Sequence, residues 1–576
     1  MFARYSDVAI YLIKPGIVKD NTRLISATQI SELFVLQGAQ FCRNIQFISA
    51  GNWDRLPIIR FVTCRGTIVL QEKTTHRLLF FCLVLFLIPS DVFCDQPTKI
   101  ELPNFDQATS STTPPNILLV FLDDFGWKDT SYMGSDFYET PQLDKLANDG
   151  MVFTNAYSCS ANCAPARASL LSGQYTPRHQ IYNVGTTPRG KAEHRRLEHI
   201  PGVKTLDPKI KTWAHQLQSA GYTTATMGKW HLSDDPIPYG FDLNVGGTHS
   251  GGPPKGYYPP HGKAPNLENA PQGEYVTDRL SDEACKFITA NQENPWMLYL
   301  THFAVHTPIQ AKKELVGKYE AKKPGELHDN VKMATMIQAV DDGVGKIVTT
   351  LEKLGIRENT VIMFFSDNGG YGPATDMDPL KGYKGTYYEG GIRVPFFVNW
   401  PGVVKPSKTI EPIIGVDIYP TLCEISGAKL PNNQIGDGLS LVSLFKGKRA
   451  NLNLNGEPRA LHWHFPAYLQ SYRGVHDEQR DPLFRSRPCS AIRKGNWKLI
   501  QYFESGDIEL FDLKNDLGEK KNVAQSNPAT VDRLMNEMKI WQSQTDAAIP
   551  SAPNPKFDEA KEKAAIRQRN QAADKQ

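Results

Sequence analysis

Five short stretches of this chain concentrate residues that can do chemistry. "CAPAR" (163–167) sets a thiol two residues before a proline and four before an arginine. "LDD" ends in Asp123 and Asp124, "GKWH" carries Lys229 and His231, "HFAVH" carries His302 and His306, and "SDN" carries Asp367 and Asn368. The three aspartates and the asparagine form an all-oxygen donor set suited to a hard cation such as Ca²⁺ or Mg²⁺. Adding lysines, an arginine and histidines makes a set suited to a tetrahedral oxyanion and its transfer. Each group alone has an ordinary structural reading. The aspartates can cap a turn, Lys229 can be solvated, His306 can be a hydrogen-bonded core imidazole, and Asp-Asn-Gly is a common turn. Four apolar runs that all end in such groups are harder to attribute to turns.

Those runs are the elements that must position the chemistry. "NILLVFLDD" (116–124), "YTTATMGKWH" (222–231), "WMLYLTHFAVHTP" (296–308) and "TVIMFFSDNGG" (360–370) are apolar segments of buried-strand length. Helical patterns lie between them: "TPQLDKLANDG" (140–150), with Thr140 as N-cap, Pro141 at the first position and Gly150 as the stop, and a long amphipathic stretch over 329–354. The alternation predicts an α/β fold with a mostly parallel sheet covered on both faces. Ligands of such sheets bind beyond the carboxyl ends of the strands, so the polar groups can converge on one site. In "CAPARASLLSG", Pro165 suits a first helical turn and Gly173 a stop. Cys163 then lies at a positive helix end beside Arg167, where a thiolate or bound anion is favoured; the other reading is a structural thiol at a helix start.

The composition, 40% hydrophobic and 22% charged with a net charge of +3, is that of a globular protein and too mild for a nucleic-acid or membrane-surface binder. Residues 1–76 show no sustained periodicity. Arg77 then precedes eleven apolar residues, Leu78 to Ile88, too short for a membrane span but fitting a secretory signal's apolar core. The expectation is a signal-like segment at 77–94, with 1–76 a dispensable extension and the site of action extracytoplasmic: secreted, periplasmic or lysosome-like. The other reading of the apolar run is a buried strand of a small N-terminal domain. A Ser/Thr/Pro linker at 95–113, a catalytic domain at 114–455, a subdomain at 456–550 and a mobile tail at 551–576 complete the expected organisation. In the subdomain, 489–513 reads as antiparallel strands with a turn at Ser505-Gly506, followed by a helix over 528–545. Cys159, Cys163, Cys285, Cys423 and Cys489 have no metal-ligand spacing and do not make a dense disulfide framework.

The stretch "CAPAR" with "LLSG" resembles the Cys-x-Pro-x-Arg signature of type I sulfatases. "LLVFLDDFGW", "MGKWHL", "VHTPIQ", "SDNGG" and "KGYKGTYYEGGIRVP" match that family in order, over roughly residues 114–525. Ala166 departs from the family, where serine is commoner. The resemblance implies the alkaline-phosphatase-like α/β fold with a smaller C-terminal α+β domain on an antiparallel sheet. It implies that Cys163 is oxidised by a formylglycine-generating enzyme to Cα-formylglycine, whose hydrate gives two hydroxyls: one attacks sulfur, the other expels sulfate. It implies Ca²⁺ held by Asp123, Asp124, Asp367 and Asn368 and bound also to residue 163. Arg167 and Lys229 would stabilise the hydrated aldehyde, His231 would be the base for sulfate elimination, His306 the acid for the leaving alcohol, and Lys384 the sulfate clamp.

The substrate is less legible. His302, His249, His462 and His464 are candidate pocket residues; His462 and His464 alternate in "HWHF", so both can face one side of a strand, or one or both can simply be surface residues. A sulfated carbohydrate is favoured over an aryl sulfate. Two rivals are a phosphodiesterase or phosphonate monoester hydrolase on the same scaffold, which calls for a Thr or Ser nucleophile and a zinc pair, and a catalytically silent carbohydrate-binding homologue, which calls for losses among the matched polar positions.

Overall fold

The computed structural model describes residues 45–47, 58–63, 66–71, 114–449, 451–472 and 480–573. The chain forms two units, Met1–Ala108 and Thr109–Gln576. In the first, strands β1 (Ile45–Phe47), β2 (Ile58–Thr63) and β3 (Gly66–Gln71) make an antiparallel sheet, a hairpin the periodicity did not reveal. The signal-like segment and the Ser/Thr/Pro linker lie outside the described residues.

The second unit is built on a nine-stranded sheet. Its strands are β4 (Asn116–Leu122), β5 (Met151–Tyr157), β6 (Thr223–Gly228), β7 (Leu243–Val245), β8 (Trp296–Thr301), β9 (Thr360–Ser366), β10 (Arg393–Asn399), β11 (Ser407–Thr409) and β12 (Ile413–Ile414). The order is β11-β5-β10-β9-β4-β8-β6-β7, with β12 also beside β5. β9, β4, β8 and β6 run parallel, while β10 is antiparallel to both of its neighbours. Every residue of β4, β8 and β9 is buried, which is why those strands read as continuous apolar runs rather than alternating ones.

Alternate residues of β4 enter two cores. Leu118, Val120 and Leu122 meet helices α1 (Pro141–Asn148), here through Leu143, and, further along the chain, the helices at 276–290 and 331–353. Ile117, Leu119 and Phe121 meet α2 (Cys163–Ser172), α3 (Trp213–Ser219) and the helix at 418–426. These later helices are α4 (Val276–Ala290), α5 (Val331–Lys353) and α6 (Ile418–Ser426). Each fully buried Leu or Phe in these layers contributes about 1.5–3 kcal/mol, so the sheet is a stiff platform for its strand ends. Helix limits follow local chemistry. Asn330 caps α5 by accepting from the Met333 N–H, and Gly173 ends α2 at φ 68. Thr140 precedes α1 but does not cap it: its hydroxyl donates to Asp144 instead.

The C-terminal part carries a second, antiparallel sheet of β13 (Ala460–Phe465), β16 (Cys489–Lys494), β17 (Trp497–Tyr502) and β18 (Ile508–Asp512), and a small pair, β14 (Leu469–Gln470) with β15 (Phe484–Ser486). Helix α7 (Pro528–Gln544) lays Leu534, Met535 and Met538 on Ile492, Leu499 and Leu510. The β16–β17 turn at Gly495-Asn496 adds to the Ser505-Gly506 turn expected from sequence.

The tail after residue 550 was expected to be mobile for want of large apolar residues; its described part, 551–573, is packed instead. Helix α8 (Glu559–Ala573) buries Glu562, which takes Arg196 at 3.0 Å and Arg487 at 2.7 Å, while Ala565 and Ile566 pack on Tyr468, Leu483 and Phe484. One buried carboxylate does what composition did not suggest. Glu562→Ala removes one of the three carboxylates around Arg487, leaving Asp481 and Glu504, and should lower unfolding stability by about 1–2 kcal/mol; a denaturation midpoint matching the parent protein would show the helix is not held this way.

Candidate active site

Because β9, β4, β8 and β6 are parallel neighbours, their carboxyl ends open on one edge of the sheet, and each delivers polar groups there. β4 ends in Asp123 and Asp124, β6 in Lys229 and His231, β9 in Asp367 and Asn368, and the segment after β8 carries His306. Asp124 and His231 have positive φ, 60° and 67°, a conformation that costs energy for a side chain with a Cβ and that clusters at functional sites. Gly228 is required at the end of β6: a Cβ there would lie 2.0 Å from the Thr301 carbonyl oxygen. That close approach lets the Lys229 N–H donate to the same oxygen at 2.7 Å and sets Lys229 over the sheet.

The side chains form one buried charge network. Lys229 Nζ donates to Asp123 Oδ2 at 2.6 Å, and Lys384 Nζ to Asp124 Oδ2 at 2.6 Å. Arg167 donates through Nε (2.9 Å) to Asp367 Oδ2, with Nη2 in ion-pair contact with the same oxygen at 2.8 Å, and donates through Nη1 to the Lys229 carbonyl and the Thr301 hydroxyl. The Asp124 N–H donates to Asp367 Oδ1, and Asn368 Nδ2 donates to Asp124 Oδ1 at 2.9 Å. His306 Nε2 stands 3.8 Å from Asp124 Oδ2, its Nδ1 2.8 Å from the Thr307 carbonyl. Ligating atoms of Asp123, Asp124, Cys163 and His306 all lie within 4.8 Å of one another.

Burial pushes Asp123 up, with Lys229 opposing and Asp124 adding to the rise; burial likewise carries Asp367 up to about 6 against the pull of Arg167. Asp123 Oδ1 and Asn368 Oδ1 are buried oxygens with no hydrogen-bond donor among the described residues. Adjacent carboxylates with orphaned acceptor oxygens fit a hard divalent cation. Burial opposes the charge on Lys384, but the Asp124 carboxylate outweighs it and holds the ammonium charged. His231 is held well below its ordinary range by burial, then by Lys229 and Arg167; His306 falls to about 3 through burial, Lys384 and Lys229. Both imidazoles are therefore neutral at pH 7.

Cys163 opens α2, as its sequence suggested, yet its thiol is not ionised. Burial raises it despite Lys229 and Lys384, so desolvation outweighs the positive helix end. Cys163, Asp124, His231, His306 and Lys384 line one cavity of about 290 Å³. Asp123, Arg167, Lys229, Asp367 and Asn368 lie beneath that wall, and the four histidines considered for the substrate pocket are not in it. His302 is fully buried, and neither ring nitrogen has a hydrogen-bond partner among the described residues. His464 is satisfied inside the C-terminal sheet, by Ser490 Oγ at 2.8 Å and the Ala548 carbonyl at 3.1 Å, and His462 stacks on Trp541 at 4.6 Å. His249 sits behind His231, ring centres 6.3 Å apart. Conversely, Arg189, Tyr371, Tyr472 and Arg485 line the cavity though no motif marked them. The five described cysteines are all free.

A mostly parallel α/β sheet with an acidic, cation-rich pocket at its strand ends, joined to a smaller antiparallel sheet, defines an alkaline-phosphatase-like hydrolase. Residues 115–428 match the sulfatase family, and residues 383–545 match the family described as N-sulphoglucosamine sulphohydrolase, C-terminal. The chain therefore belongs to the type I sulfatases and is a sulfuric ester hydrolase. It is 32% identical to a sulfatase of Formosa agariphila over 85% of this chain and 99% of that one. It is 30% identical to the N-acetylgalactosamine-6-sulfatase of Homo sapiens over 59% of this chain and 68% of that one. The crystal structure of Ps i-CgsB, determined also with k-i-k-neocarrahexaose, is similar at a TM-score of 0.61 and 30% identity, covering 80% of this chain and 98% of that chain.

Proposed function

We propose that this enzyme hydrolyses a sulfate ester of a carbohydrate, using formylglycine made from Cys163 and a Ca²⁺ ion. The observation that carries the reading is the meeting of Cys163, in its Cys-x-Pro-x-Arg setting, with Asp124, His231, His306 and Lys384 around one cavity. The carbohydrate is supported by the relatives: one acts by name on N-acetylgalactosamine-6-sulfate, and another binds a neocarrahexaose. The oxidised residue 163, as its hydrate, would supply the nucleophile. The calcium ion, held by Asp123, Asp124, Asp367 and Asn368, would draw charge from a sulfate oxygen.

The chain's own residues do the rest. Arg167 and Lys229 lie behind residue 163, where fixed positive charge in a dry site stabilises developing anionic oxygen. Lys384, charged and at the cavity wall, clamps the sulfate. His231, neutral before substrate arrives, is ready to accept the proton released when sulfate leaves. His306, also neutral in the free enzyme, gains its proton as the anionic ester enters beside it and passes it to the leaving alcohol oxygen. Maturation requires a formylglycine-generating enzyme, and the signal-like segment supports an extracytoplasmic setting. No described helix is long and apolar enough to cross a membrane.

Hydrolysis of 4-nitrophenyl sulfate and of 4-nitrophenyl phosphate tests the chemistry: sulfate should be the far better substrate, and a preference for phosphate would favour the phosphatase reading. Chelation should abolish activity, and Ca²⁺ should restore it. At a hundred times its dissociation constant, the ion should also stabilise the fold by about 3 kcal/mol. Elemental analysis that finds a stoichiometric zinc pair in active protein would refute the calcium assignment.

A further inference from the structure

The wall of the same cavity holds positive charge that the reaction does not use. Arg485 is 8% exposed, on β15; its Nε donates to the Gln470 carbonyl at 2.9 Å and its Nη1 to the Lys384 carbonyl at 3.0 Å. Its guanidinium lies 3.8 Å from the ring centre of Tyr472, and Tyr371 meets that ring edge-on at 5.0 Å. Arg189, exposed on a loop, lines the cavity too and, among the described residues, donates only to the Val184 carbonyl. Among the described residues, no carboxylate pairs with either arginine. Asp124, the carboxylate of that wall, already takes Lys384.

A buried guanidinium held by neutral carbonyls and a ring is costly unless an anion joins it. Burial pushes Arg485 below the ordinary arginine range, and the like charge of Arg189 adds to the push. The guanidinium fork matches the paired oxygens of a sulfate or a carboxylate. The cavity volume of about 290 Å³ leaves room for roughly one sugar ring between the catalytic groups and this wall.

We propose that Arg485 and Arg189 form a second anion subsite, so that the substrate is a saccharide with a further sulfate or carboxylate beside the ester that is cut. This rests on the carbohydrate reading above. Tyr371 and Tyr472 add aromatic surface to the same wall.

The test is kcat/KM of the parent enzyme, Arg189→Ala and Arg485→Gln on matched saccharides: one sulfate, two sulfates, or one sulfate with a neighbouring uronate. The best substrate should carry the second anion, and whether that is the disulfated or the uronate compound identifies its source. Its advantage over the singly charged counterpart should fall at least about tenfold in each variant, the effect of losing a charge-assisted hydrogen bond. Were Arg485 only a support for the Lys384 loop, its loss would depress all substrates alike and leave that ratio unmoved. Arg189 is exposed, so its variant reads the ratio even where Arg485→Gln fails to fold. A singly charged saccharide as best substrate, or a ratio unchanged in Arg189→Ala, overturns the proposal. Turnover of 4-nitrophenyl sulfate but of no saccharide would instead sink the carbohydrate reading, and this subsite with it.

Discussion

Cys163→Ala should extinguish hydrolysis of 4-nitrophenyl sulfate, a loss on the order of 10⁶-fold if residue 163 is the covalent nucleophile. The structure sharpens that expectation. Cys163 is buried at the mouth of α2, and its thiol is raised by desolvation, so an unmodified Cys163 would be a protonated and sluggish nucleophile. Protein made without the maturing enzyme should therefore be folded and inactive. In active protein, mass spectrometry of the peptide spanning residue 163 should find the aldehyde in place of the thiol. Full activity in protein whose position 163 is entirely cysteine would disprove the mechanism, whatever the family.

The second large effect separates the two histidines. His306→Ala should lose far more activity on a sulfated sugar than on 4-nitrophenyl sulfate, because a sugar alkoxide needs a proton to leave and nitrophenolate does not. The difference should be on the order of 10²–10⁴-fold, the range of general acid catalysis. His231→Ala acts after the alcohol has gone; it should slow both substrates and let the sulfated enzyme accumulate. Equal losses on both substrates in His306→Ala would remove it from the acid's role. Lys384 would then take that role, since it is charged and lines the cavity, whereas His302 is enclosed away from it.

Much of this protein is legible in its sequence because the relevant physics is local. Strands buried on both faces must be apolar throughout, so "NILLVFL" and "TVIMFFS" announce themselves, and the polar residues that follow must lie at strand ends. Parallel neighbours bring those ends to one edge, which is why Asp123, Asp124, Lys229, His231, His306, Asp367 and Asn368 gather there. The start of α2 at Cys163 and its stop at Gly173 were likewise written in proline and glycine chemistry.

Other properties belong to the tertiary structure, because burial sums contacts from segments far apart in the chain. The helix start alone favours a Cys163 thiolate, but the packed surroundings keep the thiol neutral. His302 and His306 look alike in "HFAVH", yet one is enclosed with no hydrogen-bond partner among the described residues and the other reaches Asp124. His464 looked like a pocket residue and is instead hydrogen-bonded inside the second sheet. The tail looked too polar to pack, until Glu562 met two arginines from segments 366 and 75 residues away. Arg485 carried no motif at all; what distinguishes it is a buried charge with no carboxylate partner among the described residues, and that exists only once the cavity wall is assembled.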